Sequence, residues 1–397
     1  MAKLIDITGK SLSGEWGTDD ETGDGIPVLR TTNFTNEGVV NYNDVVTRTI
    51  TKKNIADKFL RKGDIIIEKS GGSDKFPVGR VIYFDGEEKT YLFNNFTGLL
   101  RVKNQDDWYP KYVFYSLYAN YKRGGTRAFE NKTTGLHNLK TDDYVSRYEV
   151  AEIDKTEQIL ICEKLNKLYE IIKLRRQELQ LLDELIKARF VEMFGDMYLN
   201  SKGWSEAKLE SMADVVSGIT KGRKTKSEDL TEVPYMAVSN VKDGYIDWTT
   251  VKTIGATQQE IEQYRLLADD VLMTEGGDPD KVGRGAIIKE PLENCIHQNH
   301  IFRVRLDESV VLPEYFAEYL QHQRSKRYFL GCAKQTTGIA SINMTQLRAL
   351  PVLIPPLSKQ EEFVLFKAEV DKSKVAIQAA LDKSQLLFDS LMQKYFG

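Results

Sequence analysis

Apolar residues come mostly in short runs between turn signals, and in two stretches the pattern changes to the spacing of a long helix. Asp64-Ile65-Ile66-Ile67 and Val81-Ile82-Tyr83-Phe84 are β-branched and aromatic runs set among Gly, Asn, Thr and Tyr. They predict strands and loops of a mixed α/β globule. From Glu157 to Met193 there is no Gly or Pro, and Ile161, Leu165, Leu168, Ile172, Leu179, Leu182, Ile186 and Met193 recur at intervals of three and four, broken by Arg175 and Arg189. This heptad seam predicts a helix about 55 Å long at ~1.5 Å per residue.

The whole arrangement is written twice. Ile26-Pro27-Val28-Leu29-Arg30-Thr31-Thr32-Asn33 aligns with Val233-Pro234-Tyr235-Met236-Ala237-Val238-Ser239-Asn240 at an offset of 207. Gly63-Asp64-Ile65-Ile66-Ile67 aligns with Asp269-Asp270-Val271-Leu272-Met273, Val78-Gly79-Arg80 with Val282-Gly283-Arg284, and Asn94-Asn95 with Gln298-Asn299. Arg101-Val102-Lys103 pairs with Arg303-Val304-Arg305, Thr133-Thr134-Gly135 with Thr336-Thr337-Gly338, and Phe194-Gly195 with Phe396-Gly397, by which point the offset has drifted to 202. Small loop deletions between two copies of one domain explain the drift. Transferred to the second copy, the seam falls on Phe363, Lys367, Val370, Lys374, Ile377, Leu381, Ser384, Phe388, Leu391 and Tyr395. Neither seam is clean, but the breaks fall in different places. The two helices are therefore expected to pack on each other through Leu165, Leu168, Ile172, Leu179, Leu182, Ile186, Val370, Ile377, Leu381, Phe388 and Leu391; the alternative is that each docks only on its own globular domain.

The fold expected is α/β, with mixed α+β domains: two pseudo-two-fold-related globular domains separated by two long helices packed as an antiparallel coiled coil. The boundaries read 1–153, 154–197, 198–355 and 356–397. Two related surfaces at a fixed separation suit a linear repeating ligand such as duplex DNA.

Composition narrows the class. Of 397 residues 41% are hydrophobic and 28% charged, and mean hydropathy is -0.41, as in soluble globular chains of more than one domain. No apolar run approaches the ~18 residues of a membrane span, and the first residues lack a signal-peptide core, so a cytoplasmic location with no membrane partner is expected. Cys162, Cys295 and Cys332 form no Cys-x-x-Cys pair, which argues against a disulfide framework and a thiolate zinc cage. The net charge of -3 gives no global argument for nucleic acid; residues 1 to 150 hold 22 basic and 21 acidic side chains. DNA binding would need a local basic face or help from partner subunits.

Catalytic and metal signatures are missing. Gly218-Ile219-Thr220-Lys221-Gly222-Arg223-Lys224-Thr225 has the wrong glycine spacing for a P-loop, and neither Gly-x-Gly-x-x-Gly nor Gly-x-Ser-x-Gly occurs. Ile354-Pro355-Pro356-Leu357 lacks the amide or acid and the aromatic of an adenine methyltransferase motif. Cys295, His297 and His300 lack a fourth zinc ligand, and Asp278, Asp280 and Lys281 read first as a turn. No catalytic or metal residue is expected.

What remains are loops suited to DNA. In the first copy these are Arg30 and Asn33, then Lys69, Ser70, Gly71, Gly72 and Lys75, whose amides and ammonium groups suit phosphates. Arg80 carries a fork matching guanine, Asn94 and Asn95 offer amides suited to adenine, and Thr133, Thr134 and His137 add polar groups. In the second copy they are Lys221, Arg223, Lys224 and Lys226, Asn240, Gly276, Gly277, Lys281, Arg284, Gln298, Asn299, His300, Thr336 and Thr337. Each stretch also reads as an ordinary solvated turn.

One boundary carries a family resemblance. Thr336-Thr337-Gly338-Ile339-Ala340-Ser341-Ile342 is followed by Leu350-Pro351-Val352-Leu353-Ile354-Pro355-Pro356-Leu357 and by Gln360 at the start of the second helix. Together with the duplication and the heptads, this resembles the specificity (S) subunits of type I restriction-modification systems over the whole chain. The first copy departs from the signature: Val150 to Gln158 keeps the Gln and lacks the Pro-Pro. The resemblance implies a subunit without catalysis of its own, two target-recognition domains on the halves of a bipartite asymmetric DNA site, and a helix length that sets the gap. It implies two modification (methyltransferase) subunits, which carry S-adenosylmethionine and methylate adenine, and restriction subunits using ATP and Mg; no cofactor is bound by this chain directly. The alternative is a structural scaffold with two protein-binding heads, which should expose aromatic anchors in its loops.

Overall fold

The two β-branched runs, Ile65–Glu68 and Val81–Tyr83, pair as neighbouring strands of one antiparallel sheet. In the computed structural model, which describes residues 1–133, 136–223, 230–278, 282–336 and 338–397, the chain divides into two units: Met1–Arg176 with Ala379–Gly397, and Gln177–Gln378.

In the first unit the strands Leu12–Ser13, Thr97–Leu100, Ile65–Glu68 and Val81–Tyr83 form an antiparallel sheet in that spatial order. A second sheet orders Thr18–Asp19, Val46–Thr49, Ile26–Leu29 and Leu92–Phe93, with the last pair parallel. Leu29, Phe34, Ile66, Ile82, Phe93 and Leu99 meet in the core between them. A three-stranded sheet joins Ser70–Gly72 to the hairpin Glu130–Thr133 and Leu136–Leu139.

The second unit repeats this plan. Ala213–Ser217, Ile301–Leu306, Val271–Thr274 and Gly285–Ile287 form the antiparallel sheet, and Thr231–Met236 again pairs parallel with a short strand, Ile296–His297. The sheet register corrects one detail of the sequence alignment. Arg101 corresponds to Arg305, not Arg303, because each clamps a buried aspartate at the end of the equivalent strand. Arg101 Nε and Nη2 donate to Asp64 at 2.7 Å each, and Arg305 Nε and Nη2 donate to Asp270 at 2.7 and 2.8 Å.

The long helices are Lys155–Phe194 and Leu357–Phe396. They do not stand apart as spacer domains: each unit holds the beginning of one and the end of the other, running antiparallel. In the first unit Leu165, Ile172, Leu381 and Phe388 are buried, and Arg175 Nη1 donates to Ala380 O and Ser384 Oγ, so two breaks in the seams meet each other. Tyr112 packs on Phe396 with ring centroids 5.2 Å apart and the rings tilted. In the second unit Ile186 and Val370 are buried, while Lys374 pairs with Asp183 at 2.6 Å and Arg189 with Glu362 at 2.9 Å. There Tyr315 packs on Phe194 at 4.9 Å, the equivalent of the Tyr112 contact. Leu168, Leu179, Leu182, Ile377 and Leu391 are half-buried. The helices therefore pack on each other and on the heads at once.

A buried glutamine fixes each helix to its head. Gln158 Oε1 accepts from Tyr109 N at 2.8 Å, and its Nε2 donates to Asp107 O and Ile153 O at 2.9 and 3.0 Å. Gln360 repeats the pattern with Leu312 N at 2.8 Å, Val310 O at 3.1 Å and Pro355 O at 2.8 Å. The first copy thus makes the same joint without the Pro-Pro.

Candidate nucleic-acid interface

The loop after Ile65–Glu68 in the first head is shaped by glycine. Gly71 has φ of +132°, and a Cβ on Gly72 would lie 2.5 Å from Val78 N, so neither position takes a side chain cheaply. Strand pairing sets Ser70 opposite Asn138 and Gly72 opposite His137. Arg127 Nη2 donates to Asp74 O at 3.2 Å and Lys75 O at 3.3 Å, holding the loop so that Lys75 is exposed. Lys69 Nζ donates to Ser13 Oγ at 2.9 Å, and burial pulls its ammonium below the usual lysine range. His137 is buried between carboxylates, with Nδ1 2.9 Å from Glu130 Oε2 and Nε2 3.5 Å from Asp74 Oδ1, so it braces the loop.

Several residues expected to face DNA are spent inside the protein, and these expectations are corrected. Arg80 donates from Nη1 to Phe34 O at 2.9 Å and from Nη2 to Thr31 O at 2.8 Å, with Glu68 Oε1 at 3.3 Å. Its fork is occupied by carbonyls and a buried acid, whose carboxyl burial pushes up against the opposing effect of Arg80. Asn33 is buried: Oδ1 accepts from Arg30 N at 2.8 Å, and Nδ2 donates to Asn41 O at 3.0 Å and Asp44 O at 2.9 Å. Asn240 does the same work, with Ala237 N at 2.9 Å, Asp247 O at 2.9 Å and Thr250 Oγ1 at 3.1 Å. Both shape loops. Arg30 pairs with Asp44 at 2.9 Å. Asn94 is buried, its Oδ1 accepting from Thr97 Oγ1 at 3.2 Å, and only Asn95 of the pair is exposed.

In the second head Arg223 is clamped to Glu260 through Nε at 2.5 Å and Nη2 at 2.6 Å, which holds that carboxyl at about 2. Lys221 and His300 are exposed, and His300 Nδ1 lies 2.5 Å from Glu275 Oε2. Arg284, Gln298 and Asn299 are half-buried, with Gln298 Oε1 accepting from Val238 N at 3.4 Å. Gly276–Gly277 pairs with Ile339–Ser341. Thr134, Lys224, Lys226, Lys281 and Thr337 lie outside the described residues, as do the side chains of Thr133 and Thr336. His297 is no ligand: it is buried, its ring nitrogens face Tyr264 O at 3.1 Å and Val216 O at 3.3 Å, and burial lowers its pKa to about 4.

Two aromatics missed by sequence reasoning stand out of the first head, Phe76 (58% exposed) and Phe96 (53% exposed). The available signal was position: Phe96 directly follows Asn94-Asn95 in the turn.

Residues 201–384 match the family described as Type I restriction modification DNA specificity domain. The chain is 24% identical over 399 residues to the EcoKI specificity subunit of Escherichia coli K12, covering 94% of this chain and 82% of that protein. For the StySPI specificity subunit of Salmonella potsdam the identity is 24% over 394 residues, with coverage of 94% and 82%. A shorter stretch of 195 residues is 25% identical to a Methanocaldococcus jannaschii chain assigned as the MjaX specificity subunit, spanning 49% of this chain and 45% of that one. The fold is shared with the S subunit of a type I system from M. genitalium, at TM-score 0.59 and 17% identity over 100% of this chain and 95% of the other. Residues 201–384 therefore match a type I DNA specificity domain, and the whole chain is similar to type I specificity subunits. A second structure, concerned with complex assembly and conformational transition of the type I R-M system, shares the fold at TM-score 0.56 and 15% identity, covering 100% and 96%.

The long helices also carry exposed apolar residues. In the first unit Leu160, Ile171, Leu174, Leu386 and Leu387 are exposed, and in the second Leu181, Leu185, Val191, Leu365 and Val375. Ile171 with Leu174 and Leu181 with Leu185 stand three and four residues apart on the first long helix, and so many exposed aliphatic side chains are more than a lone helix pair needs. Among the described residues no helix is long and apolar enough to cross a membrane.

Proposed function

We propose that this chain is the DNA-recognition subunit of its type I complex and is itself non-catalytic. Each head takes one half of a bipartite, asymmetric site, and the exposed helix faces receive two methyltransferase subunits, to which restriction subunits are added. S-adenosylmethionine, ATP and Mg belong to those partners, and flipping of the adenine is the methyltransferases' step. The observation that carries this reading is the duplication: two heads of one topology, joined to their helices by the same glutamine, but with different residues in equivalent loops. Such a chain suits a ligand that is chemically periodic and different at its two ends.

The phosphate-facing part of the reading rests on Lys75, exposed on a braced loop. In the assembled complex with its methyltransferase subunits, Lys75→Ala should weaken duplex binding and lower the slope of log K against log salt by about 0.9, the loss of one phosphate contact. An unchanged slope would remove Lys75 from the interface. The exposed Phe76 and Phe96 favour a second reading, a scaffold whose heads bind protein.

A further inference from the structure

Head 1 carries a depression of about 490 Å³ lined by Lys69, Ser70, Asn95, Phe96, Asn138 and Asp142, among others. Phe96 sits at its edge on a pinned turn. Lys69 N donates to Phe96 O at 2.8 Å, Thr97 N to Asn94 O at 3.1 Å, and Thr97 Oγ1 to the same oxygen at 2.8 Å. An exposed ring held this way makes a contact with little further ordering cost. Asp142 is exposed at the first turn of a short helix, close enough to Lys69 to act on its charge.

This mixture of groups discriminates between parts of a duplex. A phosphate only accepts hydrogen bonds and is repelled by a carboxylate. A base presents donors and acceptors at its edge, a carboxylate can accept from the cytosine amine, and its face and the thymine methyl are apolar. Ammonium, amide, hydroxyl and carboxylate groups beside an exposed ring therefore match a base and not a phosphate.

We propose that this depression is the base-contacting pocket of head 1, with Phe96 against a base and Asp142 accepting from an exocyclic amine. The inference rests on the DNA-recognition reading and names the surface that performs it. In head 2 the equivalent of Phe96 is His300, engaged by Glu275, so the two heads offer different chemistry at one position.

The test uses the full chain with its methyltransferase subunits, first unaltered to define the methylated motif, then as Phe96→Ala, Phe96→Leu and Asp142→Asn. Phe96→Ala and Asp142→Asn should each make one half of the motif degenerate, leave the other half unchanged, and weaken binding of a duplex carrying the motif about tenfold. The salt slope should not change, because no phosphate contact is lost. Phe96→Leu, which keeps an apolar side chain, should recover part of the affinity. An unchanged motif and affinity would overturn the proposal, and so would a salt slope lower by about one. Loss of the methyltransferase subunits from the purified Phe96→Ala complex would assign the surface to protein docking instead. If the unaltered complex methylates no motif at all, the DNA-recognition reading fails, and the pocket with it.

Discussion

Gln158 and Gln360 each satisfy one backbone N–H and two carbonyls at the point where a head meets its long helix. Gln360→Leu would leave all three without a partner, at about 1–3 kcal/mol for each buried group. Urea unfolding should show a loss of at least about 2 kcal/mol on that scale, and a change within a few tenths would mean the joint is not structural. Arg80→Ala is expected to lower thermal stability, because Arg80 ties the Thr31–Phe34 loop to Glu68; a stable variant with one weakened half-site would restore it as a base contact. His322 stacks on Phe190 at 4.4 Å, its Nε2 is buried with no hydrogen-bond partner among the described residues, and burial lowers its pKa to about 4. The unfolded chain takes up that proton near pH 6.5 and the folded chain does not, so stability is lost as pH falls from about 6.5 toward 4. Replacing it in His322→Phe should narrow the stability difference between pH 7 and pH 5, measured by thermal melts; an unchanged difference would exclude His322 as its source. Residue type alone hid these roles. An Arg after Val-Gly reads as a base fork, and only the fold shows the carbonyls that fill it.

The long helices were legible in the sequence because a 3/4 spacing without Gly or Pro has few other outcomes. How they pack was less legible. Arg175 reads as a break in its own seam, and it meets Ser384, a break in the other seam. The division between spacer and head also dissolved, since Phe194 and Phe396 end the helices inside aromatic clusters with Tyr315 and Tyr112. The repeat was read correctly wherever a loop motif marked it, and slipped by two residues at Arg303, where only strand register with Val271 and Leu272 distinguishes Arg303 from Arg305. Because the helices run antiparallel within each unit, a length change must be made in both. One heptad added after Arg176 and one before Ala379 adds about 10 Å, or about three base pairs at ~3.4 Å each. The expected result is a methylated motif with a gap about three base pairs longer; an unchanged gap in an assembled complex would contradict helix length as the ruler.

Across the whole molecule, the near-neutral charge makes sense if this chain supplies selectivity and its partners supply much of the phosphate neutralisation. Of the loop residues expected to face DNA in the first head, Lys75 and Asn95 are exposed, whereas Arg80, Asn33 and Asn94 turn inward to build the loops. The surfaces left outward are Lys75, Asn95, Phe96 and Asp142 in head 1 and Lys221 and His300 in head 2. Methylome sequencing of cells expressing this chain with the proposed methyltransferase subunit, compared with that subunit alone, separates DNA recognition from a scaffold role. The expected result is a new methyladenine motif in two unlike parts separated by an unread gap. No new motif, from a complex that co-purifies intact, would contradict DNA recognition.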